Sequence, residues 1–207
     1  MYNIWILTVQ HLGLTLAGVG LAILIGVPIG YLITGNRWVA QLVMGFTDMM
    51  QTIPALALLA LLMLWMGLGD TPLVVALLMY SLLPIVRNSY VGIMGIDGAL
   101  IEAAKGMGMT RWQLLRMVQL PIALPVIMSG VRVATVTAIG IAAIGVLIGA
   151  GGLGAPIWRG MQQMNTAMIL SGAVPAALLA VASDAGLSKL EQAITPRGFR
   201  NIASQNT

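Results

Sequence analysis

Asp97-Gly98-Ala99-Leu100-Ile101-Glu102-Ala103-Ala104-Lys105-Gly106-Met107-Gly108-Met109-Thr110-Arg111-Trp112-Gln113-Leu114-Leu115-Arg116 is the core of the one sizeable polar stretch in this 207-residue chain, about residues 96–121. It reads as two short helices. The Asp97 carboxylate can cap the first, and Gly106 and Gly108 end it. Thr110 caps the second, with Gln113 three residues on to complete a capping box. Leu114, Leu115 and Val118 share one face of that second helix, and Val118-Gln119-Leu120-Pro121 leads onward. The hairpin is apolar enough to need cover. A protein partner on the aqueous side and a basic amphipathic element lying on the membrane surface both satisfy that need.

Outward from this stretch the chain is nearly charge-free. No Asp, Glu, Lys or Arg occurs in residues 1–36, 49–69, 133–158 or 160–183. Each run exceeds the roughly 18 apolar residues that mark a membrane-spanning helix. The whole chain is 59% hydrophobic and 8% charged, with a mean hydropathy of +0.97, against about 25% charged residues in a soluble domain. Ten Lys and Arg with six Asp and Glu cannot cover a soluble surface of this size. The expected fold is therefore all-α and polytopic, a single transmembrane domain over residues 1–207 with about five spans. These run approximately over residues 12–34, 41–69, 71–94, 125–149 and 166–185.

Eight of the ten basic residues (Arg37, Arg87, Lys105, Arg111, Arg116, Lys189, Arg197 and Arg200) fall on the side of the 96–121 loop, and Arg159 falls opposite. The positive-inside bias then puts that loop and the C-terminus in the cytoplasm and the N-terminus outside. Trp38, Trp65 and Trp158 suit the two interfacial belts. The N-terminus lacks a basic n-region, so a cleavable signal peptide is not expected. Gly18, Ala22, Gly26 and Gly30, and again Gly130, Ala134, Ala138 and Ala142, form small-xxx-small faces for close helix packing. Pro28, Pro54, Pro84, Pro125 and Pro175 place one potential kink in each span.

Several functions fall away on composition. With no Cys and one His (His11) there is no thiolate or histidine-cluster metal site, and no basic soluble domain offers itself to nucleic acid. Asp48 and Asp184 lie near span ends, so no acid stands at a span centre to couple an ion gradient. Gly149-Ala150-Gly151-Gly152-Leu153-Gly154 has the G-x-G-x-x-G spacing but ends a span, with no strand before it and no acid about 20 residues after it. Its glycines are expected to break the helix and turn the chain. The phosphate-loop pattern G-x-x-x-x-G-K-[ST] is also missing, so any ATP must be bound by another chain. Arg132, inside the fourth span, needs a partner, and Asp48 is the candidate.

Glu102-Ala103-Ala104, three residues, Gly108, nine residues, Val118-x-Leu120-Pro121 resembles the EAA loop of binding-protein-dependent ABC importer permeases, departing from it at Val118, where the pattern has Ile. Gln51–Leu59, Leu83–Tyr90, the 106–125 run and Ile148–Gly154 are similar to the branch that carries glycine betaine, carnitine and choline. The resemblance implies a methionine-importer-like five-helix permease core. It also implies a cytoplasmic ATPase docked on the loop, an extracytoplasmic substrate-binding protein, and a second permease, the same chain or a homologue. It gives Gly108 the turn between the loop's helices. Glu102 is expected at the base of the loop against the backbone, Arg111 or Arg116. Arg111, Trp112 and Gln113 are expected to touch the ATPase, with Leu120 and Pro121 closing the motif. Gln51, Thr52, Met79, Tyr80 and Asn88 are the candidates for lining a pathway, and ordinary packing competes for Met79 and Tyr80. Other readings are a permease for an amino acid or another small zwitterion, or a channel or assembly subunit that works without an ATPase.

Overall fold

A computed structural model describes residues 3–194; Arg197, Arg200 and the 201–207 tail lie outside them. Among the described residues the regular elements are helices throughout: α1 (Ile4–Leu32), α2 (Arg37–Thr52), α3 (Ala55–Met66), α4 (Asp70–Met94), α5 (Gly98–Gly106), α6 (Arg111–Leu114), α7 (Leu120–Ile144), α8 (Gly154–Gln162) and α9 (Thr166–Ile194). Four helical stretches are long and apolar enough to cross a bilayer: Ile4–Gly35, Asp70–Met94, Arg111–Ile148 and Thr166–Ile194. A fifth candidate is the bent pair α2 and α3, which is long and apolar enough only when the two are taken together. The sequence pattern predicts one helix over residues 41–69, but α2 and α3 meet at 96°. Pro54 has no N–H to extend α2 and forces Ile53 into extended geometry (φ −68°, ψ 125°).

α4 lies between α1 and α7, and glycines set how near the three backbones come. A Cβ on Gly18 would sit 2.5 Å from the Cβ of Leu77, one on Gly26 2.9 Å from Ile85 Cγ2, and one on Gly30 2.4 Å from the Cβ of Ser89. Residue numbers rise together on both helices, so α1 and α4 run parallel. On the other flank a Cβ on Gly92 would meet the carbonyl of Ala123 at 3.1 Å, one on Gly130 the carbonyl of Pro84 at 2.5 Å, and one on Gly145 the side chain of Leu73 at 2.6 Å. There the numbers run oppositely, so α7 is antiparallel to α4. The predicted small-residue faces are thus the seams of the fold. Leu59, Leu73, Leu77 and Ile85 are fully buried beside them.

At the end opposite the 96–121 loop the glycine run turns the chain as expected. Gly149 and Gly152 have φ of 77° and 103°, a region L side chains enter at a cost. The Asp70 carboxylate accepts from the Gly151 N–H at 2.9 Å, and the Gly69 N–H donates to the Ile148 carbonyl at 2.9 Å. His11, fully buried, ties α1 to the same turn. Its Nε2 lies 3.0 Å from the Ile139 carbonyl, and its Nδ1 accepts from the Leu153 N–H at 3.3 Å. A neutral ring with its proton on Nε2 satisfies both contacts. α8 then packs back against α9, where a Cβ on Gly160 would meet the Ile169 nitrogen at 2.7 Å.

Arg132 does not find Asp48. Its Nε and Nη2 donate to the Asp184 carboxylate at 2.8 and 3.1 Å, and its Nη1 reaches Glu191 Oε2 at 3.5 Å. α9 packs against α7 and brings Asp184 to Arg132, while Asp48 is taken by Arg87. The helix continues to Ile194, past the expected end near residue 185, so Glu191 stands two turns beyond Asp184 on the same face. Glu191 therefore belongs to the fold rather than to a solvated terminus.

Two substitutions separate seam from surface. Gly30→Ala is expected to lower thermal stability by about 1–3 kcal/mol, the range for overpacking, because the Val86 carbonyl, 2.8 Å from the new Cβ, is backbone. Gly20→Ala, with nothing within 4 Å, is expected to leave it unchanged. His11→Ala is expected to cost about 1–3 kcal/mol by stranding the buried Leu153 N–H. The detergent-solubilised melting temperature reads all three.

Candidate functional site

The polar loop is built from its caps. The Asp97 carboxylate accepts from the Ala99 N–H at 2.9 Å and starts α5. Gly108, at φ 78°, makes the turn that ends it. The Thr110 hydroxyl accepts from the Gln113 N–H at 3.3 Å, while Gln113 Oε1 accepts from the Thr110 N–H at 2.8 Å, closing the expected capping box. The expected second short helix is not separate. α6 passes through one wide π turn, Leu115–Gln119, directly into α7. That turn falls just before Pro121, whose missing N–H interrupts the regular i→i−4 ladder.

The loop therefore carries its candidates on two arms. Glu102 and Ala103 are exposed on α5, and Ala104 is buried inside the elbow. Glu102 pairs with neither Arg111 nor Arg116, because the turn at Gly108 carries α6 away from it. Arg111, Trp112 and Gln113 stand exposed on the second arm, Trp112 at 65% of its surface. Leu120 and Pro121 are half-buried where that arm becomes a span. Arg111, Trp112, Leu115 and Leu120 also form one wall of an apolar groove of about 520 Å³ against Val27, Pro28, Tyr31 and Leu32 of α1.

A second feature lies at the level of the spans. Gln51, Tyr80 and Asn88 converge on a cleft of about 420 Å³, together with Leu83, Pro84 and Arg87 of α4 and Val133, Thr137 and Ile141 of α7. Pro84 has no N–H for the Tyr80 carbonyl four residues back, and Gln51 Nε2 donates to that freed oxygen at 2.9 Å. Asn88 Nδ2 donates to the Pro84 carbonyl at 2.8 Å, and the Tyr80 hydroxyl donates to the Ile53 carbonyl at the α2–α3 bend. Two pathway candidates stand elsewhere. Thr52 turns its exposed hydroxyl onto the Met49 carbonyl, and Met79 packs half-buried against the hydrophobic core.

Charge pattern alone did not reveal the partner of Arg87. It lies in α4, within the expected third span, and its Nη2 donates to Asp48 Oδ1 and Oδ2 at 2.7 and 3.0 Å. Arg87 lines the cleft, and with Asp48 it also lines a second cavity of about 380 Å³ with Arg37, Gln41 and Tyr90. The available signal was an acid and a base near the same ends of two neighbouring spans. Among the described residues no three His, Asp or Glu side chains group as a metal site.

Residues 18–197 match the family model for the binding-protein-dependent transport system inner membrane component. The chain is 52% identical over 188 residues to the glycine betaine/carnitine/choline transport system permease protein OpuCD of Bacillus subtilis (strain 168), covering 90% of this chain and 82% of that protein. It is 45% identical over 199 residues to the osmoprotectant import permease protein OsmW of Salmonella typhimurium, covering 94% and 93%. The fold is also that of an inward-facing MetNI methionine ABC transporter chain, with a TM-score of 0.82, 24% identity, and coverage of 95% of this chain and 100% of that one. With several apolar helices and a match across nearly all of its spans, this chain belongs to the family of binding-protein-dependent transport system inner membrane components, the multi-pass permeases of ABC transporters.

Proposed function

We propose that this chain is the membrane permease of an ATP-driven importer for quaternary ammonium osmoprotectants: glycine betaine, carnitine and choline. The observation that carries the reading is the identity of about half, over nine-tenths of the chain, to a permease named for those three compounds. No nucleotide loop is present in the sequence, so ATP is bound by a partner ATPase and this chain holds no cofactor of its own. A substrate-binding protein outside delivers the cargo. A second permease, the same chain or a homologue, completes the pair, since two ATPase subunits need two loops. The Lys and Arg bias supports a cytoplasmic loop and an external N-terminus.

In this reading ATP closes two ATPase subunits, and each drives one 99–121 loop. Glu102, Ala103 and Ala104 form the first arm, Gly108 the elbow, and Arg111, Trp112 and Gln113 the contact. Trp is a frequent anchor at interface centres, and an exposed one on an aqueous loop lacks shelter until a partner covers it. Movement at the contact enters the membrane along one helical run of 38 residues, Arg111–Ile148, which carries a π turn at Leu115–Gln119.

The direct test purifies the tagged chain from its host under mild solubilisation and identifies the proteins that accompany it. An ATPase and a binding protein that takes up betaine, carnitine or choline are expected; repeated recovery of the chain alone would overturn the reading. The elbow is tested separately. Gly108→Leu is expected to insert normally and lose ATP-dependent uptake, since a left-handed residue with a branched side chain costs about 1–2 kcal/mol. Gly108→Asn is expected to keep more of it, because Asn visits that region more readily and nothing lies within 4 Å of a new Cβ. Equal uptake by the two variants would refute the assignment.

A further inference from the structure

Two cavities meet at one ion pair. The cleft of about 420 Å³ contains Tyr80, Asn88 and Thr137, and the cavity of about 380 Å³ contains Arg37, Gln41 and Tyr90. Arg87 belongs to both, and its partner Asp48 faces the second. Each volume is within the range of about 300–1,000 Å³ usual for small-molecule sites. The pair links α2 to α4 across the line between them.

The geometry of the pair is unusual for a structural tie. Arginine and carboxylate commonly meet as a fork, two nitrogens to two oxygens. Here a single nitrogen, Nη2, makes both contacts, at 2.7 and 3.0 Å. Nε and Nη1 have no partner among the described residues. Both side chains are about half open, at 48% and 47% exposure. Arg132 in the same protein does make the fork, with Nε and Nη2 on the two oxygens of Asp184. One arginine is fully committed, and the other holds donors in reserve.

From this we infer that Asp48 and Arg87 form a charge-trading site for small zwitterions that carry a quaternary ammonium and a carboxylate. The substrate's carboxylate takes the spare donors of Arg87 while its ammonium takes over Asp48, so the protein pair opens without leaving either charge alone. That matters because separating an ion pair within a span strands two charges, whereas an exchange of partners leaves each one matched. Tyr90, which lines the cavity that Asp48 faces, offers the ammonium a cation–π contact. A cation without a carboxylate, such as choline, uses the Asp48 half only. This inference rests on the osmoprotectant reading above and adds to it the residues that would handle the cargo.

The experiment reconstitutes the complete transporter with its ATPase and saturated binding protein in proteoliposomes. It measures ATP-driven uptake of glycine betaine and of choline in parallel. Arg87→Gln is expected to lower the betaine-to-choline uptake ratio roughly tenfold relative to wild type, the size of one lost charge-assisted hydrogen bond. Asp48→Asn is expected to move the same ratio in the opposite direction, because choline loses its only counter-charge while betaine keeps Arg87. Arg87→Lys, which keeps the positive charge, is expected to bring the ratio back toward wild type. If both variants depress both substrates in proportion, or leave the ratio unmoved, the pair is a plain tie between α2 and α4 and the inference fails. Should Arg87→Gln not assemble with its ATPase, the raised betaine-to-choline ratio of Asp48→Asn beside a near-wild-type ratio in Arg87→Lys carries the test, and an unmoved ratio in Asp48→Asn overturns the inference. Wild-type transporter that moves neither compound would instead overturn the osmoprotectant reading itself.

Discussion

Close approach of three backbones, α1 to α4 to α7, is the constraint on which the rest of the structure depends. Inside a bilayer the lipid is as apolar as leucine, so burying leucine against leucine gives no advantage over leaving it in lipid. What remains is contact, and contact is greatest where side chains are smallest. Gly18, Gly26 and Gly30 admit α4 from one side; Gly92, Gly130 and Gly145 lock it to α7 on the other. Once α4 is fixed in this way, Pro84 within it has a definite consequence. It leaves the Tyr80 carbonyl unpaired at a place where water cannot reach freely, and Gln51 from the next helix supplies the missing donor. The polar cleft is therefore a by-product of how the central helix is held.

Much of this was legible before any coordinates. Charge-free runs gave the spans, because a bilayer tolerates little else. Asp97, Thr110 and Gln113 gave the loop's helix starts, because capping is local and depends on residues three apart. The small residues at four-residue spacing gave the seams. What escaped was non-local. Whether Pro54 kinks a helix or breaks it at 96° depends on what packs beyond it. Arg132 was given the wrong acid because which helix packs on α7 is a tertiary matter: α9 brings Asp184 to it, and the turns of α9 past residue 185 add Glu191. His11 carried no motif at all, and its role exists only because residues 139 and 153 come to it from the far end of the chain. Of the pathway candidates, Gln51, Tyr80 and Asn88 share a cleft since they flank the two prolines, while Thr52 and Met79 sit one position away on other faces.

The two ion pairs show two solutions to one difficulty. A charge inside a span is costly and needs a partner or a route to water. Arg132 meets two carboxylates on a single helix and uses three of its donors, which leaves it little freedom. That arrangement holds α9, a helix with only Gly172 buried, to the core. Arg87 meets one carboxylate through one nitrogen, beside two cavities. The first pair suits attachment and the second suits exchange, and nothing in the sequence spacing distinguishes them.

These elements bear on how a push at the loop reaches the cleft. Thr137 and Ile141 line the cleft from the same helical run that begins at Arg111. At about 1.5 Å per residue the α-helical stretch from Leu120 to Thr137 is close to 26 Å long, so in the proposed reading a tilt applied at Trp112 would be carried well into the spans. Opposite stands α2, which supplies Gln51 and Asp48 and is separated from α3 by the bend at Ile53 and Pro54. α4 lies between them, bonded to α2 through Gln51 and Asp48 and wedged against α7 at Gly130. In the proposed reading, a continuous arm on one wall and a jointed one on the other would let the walls separate unevenly. Separation at the α2 wall breaks contacts to Gln51 and Asp48 while the glycine seam between α4 and α7 stays closed. The first interaction to yield is then the half-open Asp48–Arg87 pair, because the alternative is to pull apart backbones that have no side chains between them.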